Sequence, residues 1–599
     1  MDRVMAGQKR TFQIVLIKPS HYDDDGYVIQ WARAFIPSNS LAVVHSIARD
    51  AVQRAVLGPD VDYDFTVIDE SNSRVDTPKI LKQFRQSGGL GFVALVGVQS
   101  NQFPRAIDLA RPLRAAGIPV IVGGFHVSGC IAMLPGIQPD MQEALDLGVS
   151  LFAGELEGRM DQLLRDAAAG TFRPIYNHMK DLPGLAGEPT PLLPAKLIRR
   201  TVQSYASFDA GRGCPFQCSF CTIINVQGRK SRGRAPDDIE KTIREHQAEG
   251  IKNFFITDDN FARNKDWEPI FDRLIELRER DKLKIRFMIQ VDTLCHKIPN
   301  FIEKAQRAGV NRVFIGLENI NPANLLAAKK RQNKITEYRR MLLAWKRAGV
   351  ATYGGYILGF PADTPESIRT DVEIIKRELP IDFLEFFMLT PLPGSEDHKV
   401  LWQKGSPMDA DMNLYDGEHA VTDHPKMSRQ AWVDIYREAW RAYYTPEHIR
   451  TILWRNVATH GPISSLSSHL LFFSHFVPVE NIHPLQGGIV RRKRRRDRRP
   501  GFPLEPAWSF YPKYIWEGVF KYSRLLRVFA GLEFAAQRIR KDPNRHNYTD
   551  QALADVAEDE TESLELFTQT DEARHAVEHA RKVTLLTGAK TRTPAHANA

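Results

Sequence analysis

The chain has 599 residues, 43% of them hydrophobic, and a formal net charge of +9, a composition of large globular proteins that excludes a disordered or fibrous chain. No early apolar stretch of signal-peptide type and no apolar run long enough to span a bilayer occurs, so we expect a cytoplasmic protein. Five cysteines in so long a chain exclude a disulfide framework.

In chain order, Phe12-Gln-Ile-Val-Leu-Ile-Lys-Pro19, Asp64-Phe-Thr-Val-Ile-Asp69, Phe92-Val-Ala-Leu-Val-Gly-Val98 and Pro119-Val-Ile-Val-Gly-Gly124 read as buried strands, with helical stretches such as Pro104 to Ala116 between them. The alternation predicts a doubly wound, Rossmann-like parallel sheet whose ligand loops lie at the strand C-termini. Three such loops carry glycine: Gly97-Val-Gln-Ser-Asn101, Val122-Gly-Gly-Phe-His-Val127 and Gly154-Glu-Leu-Glu-Gly158. Glycine there admits a flat ligand to van der Waals contact with backbone. An ordinary nucleotide-binding or structural sheet is the alternative.

Next comes Gly211-Arg-Gly-Cys-Pro-Phe-Gln-Cys-Ser-Phe-Cys221, a C-x3-C-x2-C spacing. Three thiolates can hold three corners of a [4Fe-4S] cluster and leave the fourth iron open to a small molecule. A structural zinc site is the competing reading, but zinc sites usually pair two short Cys/His arms and no second arm is present. Only Cys130 and Cys295 remain, so a second all-cysteine cluster cannot be built; an inert buried thiol is the expectation for Cys295.

Polar residues close the strand-like runs that follow. Lys252 to Phe261 ends in Asp258 and Asp259, Ile285 to Asp292 contains Gln290, Arg312 to Asn319 contains Glu318, and Tyr353-Gly-Gly-Tyr-Ile-Leu-Gly-Phe-Pro361 is glycine-rich. A (β/α) barrel would gather these ends at its mouth.

The cysteine motif, with Phe220 directly before its third cysteine, resembles the signature of the radical S-adenosylmethionine (SAM) superfamily. The upstream sheet resembles the cobalamin-binding domain fused to some of its members. The resemblance implies a [4Fe-4S] cluster on Cys214, Cys218 and Cys221, with SAM chelated to the open iron and cleaved by one electron to a 5′-deoxyadenosyl radical. It implies SAM contacts from Phe220, Asp258, Asp259, Gln290, Glu318, Gly354 and Gly355, the aspartates facing the SAM ammonium group. It implies cobalamin contacts from Ser100, Gly123, Gly124, Phe125, His126, Gly154 and Glu155. The lower-ligand motif Asp-x-His-x-x-Gly is broken here: Pro19-Ser-His-Tyr-Asp-Asp-Asp-Gly26 holds His21 without the aspartate or glycine at their offsets. We therefore expect base-off cobalamin with no protein imidazole on cobalt, and His126 beside the cofactor rather than on its axis.

The expected architecture is α/β: a cobalamin-binding domain over residues 1–185, a partial radical SAM barrel over 200–400, a helical extension over 401–480, and a basic, aromatic region over 481–599 with an acidic, solvated tail. In the extension, Trp432, Tyr436, Trp440, Tyr443 and Tyr444 are expected to be core. The run Arg491-Arg-Lys-Arg-Arg-Arg-Asp-Arg-Arg499, followed by Trp508 to Trp516, suggests peripheral docking on an anionic membrane, with a solvated linker or nucleic-acid contacts as alternatives. The resemblance implies methyl transfer to an unactivated carbon of a small or lipid-like molecule, served by a reductant such as flavodoxin or ferredoxin. Radical cyclisation or ring rearrangement and, in a different class, RNA modification or binding are the alternatives.

Overall fold

The computed structural model describes residues 10–461 and 463–555. Two six-stranded parallel sheets form its frame. The first comprises β1 (Arg10–Lys18), β2 (Val61–Asp69), β3 (Gly91–Leu95), β4 (Val120–Gly123), β5 (Ser150–Ala153) and β6 (Ile175–Asn177), in the order β2-β1-β3-β4-β5-β6. Residues 13 to 17 of β1 are buried on both faces, as a central parallel strand requires, whereas β2 at the edge alternates with solvent. The order reverses between β1 and β3, so the loops leaving them diverge and open a crevice at the strand C-termini. This is the expected doubly wound fold, with β5 and β6 added to the four strands read from sequence.

The second sheet comprises β7 (Tyr205–Phe208), β8 (Asn253–Ile256), β9 (Arg286–Val291), β10 (Val310–Glu318), β11 (Ala351–Leu358) and β12 (Phe383–Met388), paired in sequence order and parallel throughout. Its helices, such as Pro236–Ala248 and Pro365–Glu378, cover one side. The edges β7 and β12 do not pair, so the barrel is partial. The open edge at β12 is closed by side chains of the helix Arg429–Tyr443 and the residue after it. Leu384 N–H donates to Tyr444 Oη (3.0 Å), whose O–H donates back to the Leu384 carbonyl (2.9 Å), and Tyr443 O–H donates to the Ile381 carbonyl (3.1 Å). These contacts satisfy an exposed strand edge. All five aromatics of this region are buried, as expected for core residues.

The C-terminal region returns to the first sheet. The strand Gly488–Arg491 pairs antiparallel with Trp31–Ala34, and the basic run that begins at its end is neutralised in part. Arg491 pairs with Asp23 (2.8 Å), Lys493 with Asp25 (3.2 Å) and Arg499 with Asp411 (2.6 Å), while Arg498 caps the Asp25 carbonyl and lies 5.0 Å from the Tyr27 ring centroid. Part of the run is thus a clasp onto the acidic loop Asp23 to Asp25, while Arg492, Arg494 and Arg496 remain exposed. A helix of 35 residues, Ala507–Lys541, follows it. The acidic tail lies outside the described residues apart from Asp555, which pairs with Arg347.

Arg491 is buried and Asp23 is its salt-bridge partner. Asp23→Ala strands that cation and should destabilise the protein by about 3 kcal/mol, read as a lower urea midpoint, whereas Asp25→Ala, at the exposed end of the clasp, should cost under about 1 kcal/mol. Equal midpoints for both variants would refute the clasp.

Candidate active site

The C-terminal ends of the two sheets face one another across a cavity of about 710 Å3. Ser20 and His21 after β1, and Gly97 and Gln99 to Gln102 after β3, line one side; Phe220, Glu318, Gly355, Ile357 and Phe387 line the other. The switch point of one sheet and the mouth of the other thus empty into the same space. A narrower cavity of about 180 Å3 runs along the first sheet against Ala94, Ile121, Gly123 and Phe152, and shares Asn39, Ser40, Gly97 and Phe125 with the larger one.

The cysteine loop hangs over this space. Cys218 is buried and Cys214 and Cys221 half-buried. Burial first, then the neighbouring Cys218, pushes the Cys221 thiol up to about 12, and burial raises Cys214 as well. Thiols in such a setting keep their protons until a metal displaces them. Cys214 N–H donates to the Gly228 carbonyl (3.2 Å), Ser219 N–H to the Ala328 carbonyl (3.1 Å), and Gln332 Nε2 lies 3.5 Å from Cys218 Sγ. The Lys330 ammonium, ion-paired with Glu318, sits 5.7 Å from the Phe220 ring centroid and in the field of Cys218 and Cys221. Among the described residues no group of three or more His, Cys, Asp or Glu is placed to hold a single metal ion.

The two aspartates after β8 separate. Asp258 is spent on the scaffold: Oδ1 accepts from the N–H groups of Ala210 (2.7 Å) and Gly211 (2.8 Å), and Oδ2 from Asn264 (2.9 Å). Asp259 lies close enough to Cys214 and Cys221 to raise both thiols, and burial pushes its own carboxyl up to about 7. Gln290 donates to the Asp258 carbonyl (3.3 Å), and Asp292 is clamped by Arg263 (2.6 and 2.8 Å). Gly355 lines the large cavity, but Gly354 turns outward, where a Cβ would meet Leu317 and Leu384. Cys295 is fully buried, consistent with an inert thiol.

On the first sheet, Gly123, Gly124, Phe125, Gly154 and Glu155 line the narrow cavity and Ser100 the large one. His126 does neither: it is 1% exposed on the helix Phe125–Met133, with Nδ1 3.1 Å from Ser100 Oγ and Nε2 2.7 Å from Asp140. Both nitrogens are engaged, so it supports Ser100 rather than touching the cavity. Glu155 presents its chain to the cavity but spends its carboxylate on Arg212 (2.7 Å) and Arg232 (2.9 Å). His21 faces the large cavity, and burial pushes its imidazole down to about 4, so the ring is neutral near pH 7. Lys330, Gln332 and Arg212 escaped the sequence reading; only the basic run Lys329 to Arg331 after β10 marked the first.

The fold is that of a partial radical SAM barrel joined to a cobalamin-domain-like sheet. Residues 210–375 match the radical SAM superfamily model. The chain is 26% identical over 401 residues to bacteriochlorophyllide d C-8(2)-methyltransferase of Chlorobaculum tepidum, spanning 64% of this chain and 84% of that protein. It is 26% identical over 310 residues to hopanoid C-2 methylase of Rhodopseudomonas palustris, spanning 50% of this chain and 56% of that one. Among solved structures it is similar to the cobalamin-dependent S-adenosylmethionine radical enzyme OxsB, with a TM-score of 0.49, 13% identity, and 96% of this chain and 83% of that one covered. Residues 210–375 are thus a radical SAM domain, and the chain as a whole is similar to these methyltransferases.

Gly124 has φ +150°, and a Cβ on it would lie 2.2 Å from the Val98 nitrogen, whereas one on Gly123 would meet Phe152 at an ordinary 3.4 Å. Gly124→Ala should therefore destabilise the protein by about 2 kcal/mol or more and Gly123→Ala by under about 1 kcal/mol, compared by thermal unfolding.

Proposed function

We propose that this protein uses a [4Fe-4S] cluster, SAM and cobalamin to transfer a methyl group to an unactivated carbon. The observation that carries the reading is the shared cavity: the cysteine loop and the glycine loops of the first sheet open on one space. Together these cofactors would supply a hydrogen-abstracting radical and a transferable methyl group, chemistry beyond any side chain.

The residues present fit these groups. Cys214, Cys218 and Cys221 offer three thiols and no fourth, which leaves one iron for SAM. Asp259, beside those thiols and without the scaffold bonds that occupy Asp258, suits the SAM ammonium group. Gly355 leaves room beside it. The Lys330–Glu318 pair keeps the cluster rim near neutral, and Gln332 would give the Cys218 sulfur a hydrogen bond. Gly97, Gly124 and Gly154 keep the first sheet's rim low enough for a macrocycle. Phe220, Ile357, Phe387 and Leu389 give the cavity an apolar stretch of wall, which suits a hydrocarbon-like part of a substrate. A flavodoxin- or ferredoxin-type protein would supply the electron.

Anaerobically reconstituted protein should carry one [4Fe-4S] cluster and pass a labelled methyl group from SAM to a product one methylene heavier than its substrate. Replacing Cys214, Cys218 and Cys221 together by Ala should abolish cluster absorbance and SAM cleavage; a retained cluster would overturn the assignment.

We propose further that the protein contacts anionic bilayers through the helix Ala507–Lys541 rather than through the basic run. Among the described residues no helix is long and apolar enough to cross a membrane, but this one leaves Trp508, Ile515, Trp516, Leu526 and Phe534 each more than 60% exposed. Exposed Lys513, Arg524 and Arg527 flank them, while Glu517 and Glu533 are engaged by Lys493 and Arg540. An aromatic face with a basic flank and no free acid suits an interfacial helix. Replacing Trp508, Ile515 and Trp516 together by Ser should cut sedimentation with anionic vesicles severalfold. Neutralising Arg492, Arg494 and Arg496 should change it little. The opposite ranking would return the contact to the basic run.

A further inference from the structure

The interior of the partial barrel holds two chambers. Inward-facing side chains alternate along a strand. On β10, β11 and β12 the upper set, Phe314, Gly355 and Phe387, lines the reaction cavity, and the set one step nearer the N-terminal ends, Arg312, Tyr353 and Glu385, lines a second cavity of about 120 Å3. Phe314 stands between them: a Cβ on Gly355 would lie 2.8 Å from its ring tip, so the ring occupies the space that a side chain at 355 would need. The two chambers share Ile36, Pro37 and Leu485 in their walls.

The lower chamber is mostly hydrocarbon, with Phe255, Met288, Phe472 and Phe473 around it. Glu385 is the one acid among its lining residues. It is 1% exposed, and among the described residues its Oε2 has no hydrogen-bond partner. The cation nearby is directed elsewhere: Arg312 donates to Gln203 Oε1 (3.0 Å) and lies over the Tyr205 ring, 5.4 Å from its centroid. Burial alone pushes the Glu385 carboxyl up to about 8, so near pH 7 it is largely a neutral acid with one O–H to donate and a carbonyl to accept. An unpaired buried polar group costs stability, and nothing in the packing of β12 requires one here.

We propose that the lower chamber binds the far end of the substrate and that Glu385 holds a hydroxyl group on that otherwise apolar end. A hydroxyl both donates and accepts, matching both functions of the acid, and the apolar walls match a ring or chain skeleton. One inward layer, about 7 Å along the strand, separates Glu385 from Phe387 at the reaction cavity, so the substrate would reach across both chambers. Glu385 is a positioning residue here, remote from the reacting carbon. The inference rests on the reading of the upper cavity as the site of methyl transfer.

The test needs no turnover. Cluster-loaded full-length protein is titrated with cyclohexanol and with methylcyclohexane as probes, by calorimetry and by infrared difference spectroscopy. Wild type should show a protonated-carboxyl band, absent in Glu385→Gln, that moves when cyclohexanol binds and stays put with methylcyclohexane. Glu385→Leu should bind cyclohexanol about tenfold more weakly, bind methylcyclohexane no worse than wild type, and melt higher. Glu385→Gln, nearly isosteric, should retain most of the alcohol affinity and guards against a folding defect in the leucine variant. Equal alcohol affinity in wild type and Glu385→Leu, or an unmoved band, would overturn this inference while leaving methyl transfer intact. Alcohol binding through Glu385 in a protein that transfers no methyl group would overturn the function and leave this site standing.

Discussion

One buried charge cluster holds the two sheets in the relation that everything else depends on. Arg212, two residues before the first cysteine of the motif, reaches Glu155 (2.7 Å) and Glu157 (2.7 Å) after β5 and Asp209 (3.1 Å) after β7. Arg232 adds a second bond to Glu155 and Arg234 a second to Asp209 (3.3 Å). Three guanidinium groups against three carboxylates give near neutrality, but removal of any one leaves a charge stranded away from water, which costs far more than the intact network returns. Such clusters are poor sources of stability and good sources of register. Here the register is the distance between the cysteine loop and the glycine loops, and hence the reach of any group passed from one to the other.

The same economy of buried polar groups explains why the cysteine loop is firm before any metal arrives. Asp258 ties the N–H groups of Ala210 and Gly211 to the end of β8, and backbone bonds fasten Cys214 and Ser219 on either side. Burial raises the Cys214 and Cys221 thiols. A site of this kind is preorganised in its backbone and penalised in its thiols, so metal binding relieves the penalty instead of ordering the loop.

Sequence periodicity and spacing disclosed the frame, since buried parallel strands are continuous apolar runs and a C-x3-C-x2-C motif is compact in sequence. What they could not disclose depends on alternation or on distance. Asp258 and Asp259 are adjacent and chemically identical, and only the pleat decides that one serves the scaffold and the other the site. Gly354 and Gly355 divide the same way. His126 follows a double glycine as a loop ligand would, yet the helix that begins at Phe125 carries it into the core. The basic run looked free because its counter-ions, Asp23 and Asp25, lie more than 450 residues away. Glu385 was hidden inside an apolar run, where a single acid reads as an ordinary strand residue until the cavity beneath it is seen.

The outer helix and the lower chamber belong to one line of packing. The helix Ile463–Phe473 supplies Phe472 and Phe473 to the chamber wall, and the helix Ala507–Lys541 packs against it from outside. Passing inward from the exposed aromatic face, one meets that outer helix, the inner helix, the largely apolar lower chamber and then the reaction cavity, where polar side chains such as Asn101, Gln102 and Asp416 join the lining. A wholly water-soluble substrate would gain little from the apolar part of this order, which strips hydration without offering polar replacements. A sparingly soluble molecule with one polar end gains at every step. Its skeleton leaves a bilayer for apolar walls of similar character, and its hydroxyl exchanges the headgroup region for Glu385. On the proposed reading, the lone acid in the lower chamber, one layer short of the reaction cavity, would hold an otherwise featureless apolar molecule at a fixed depth and so set which carbon stands opposite the cysteine loop.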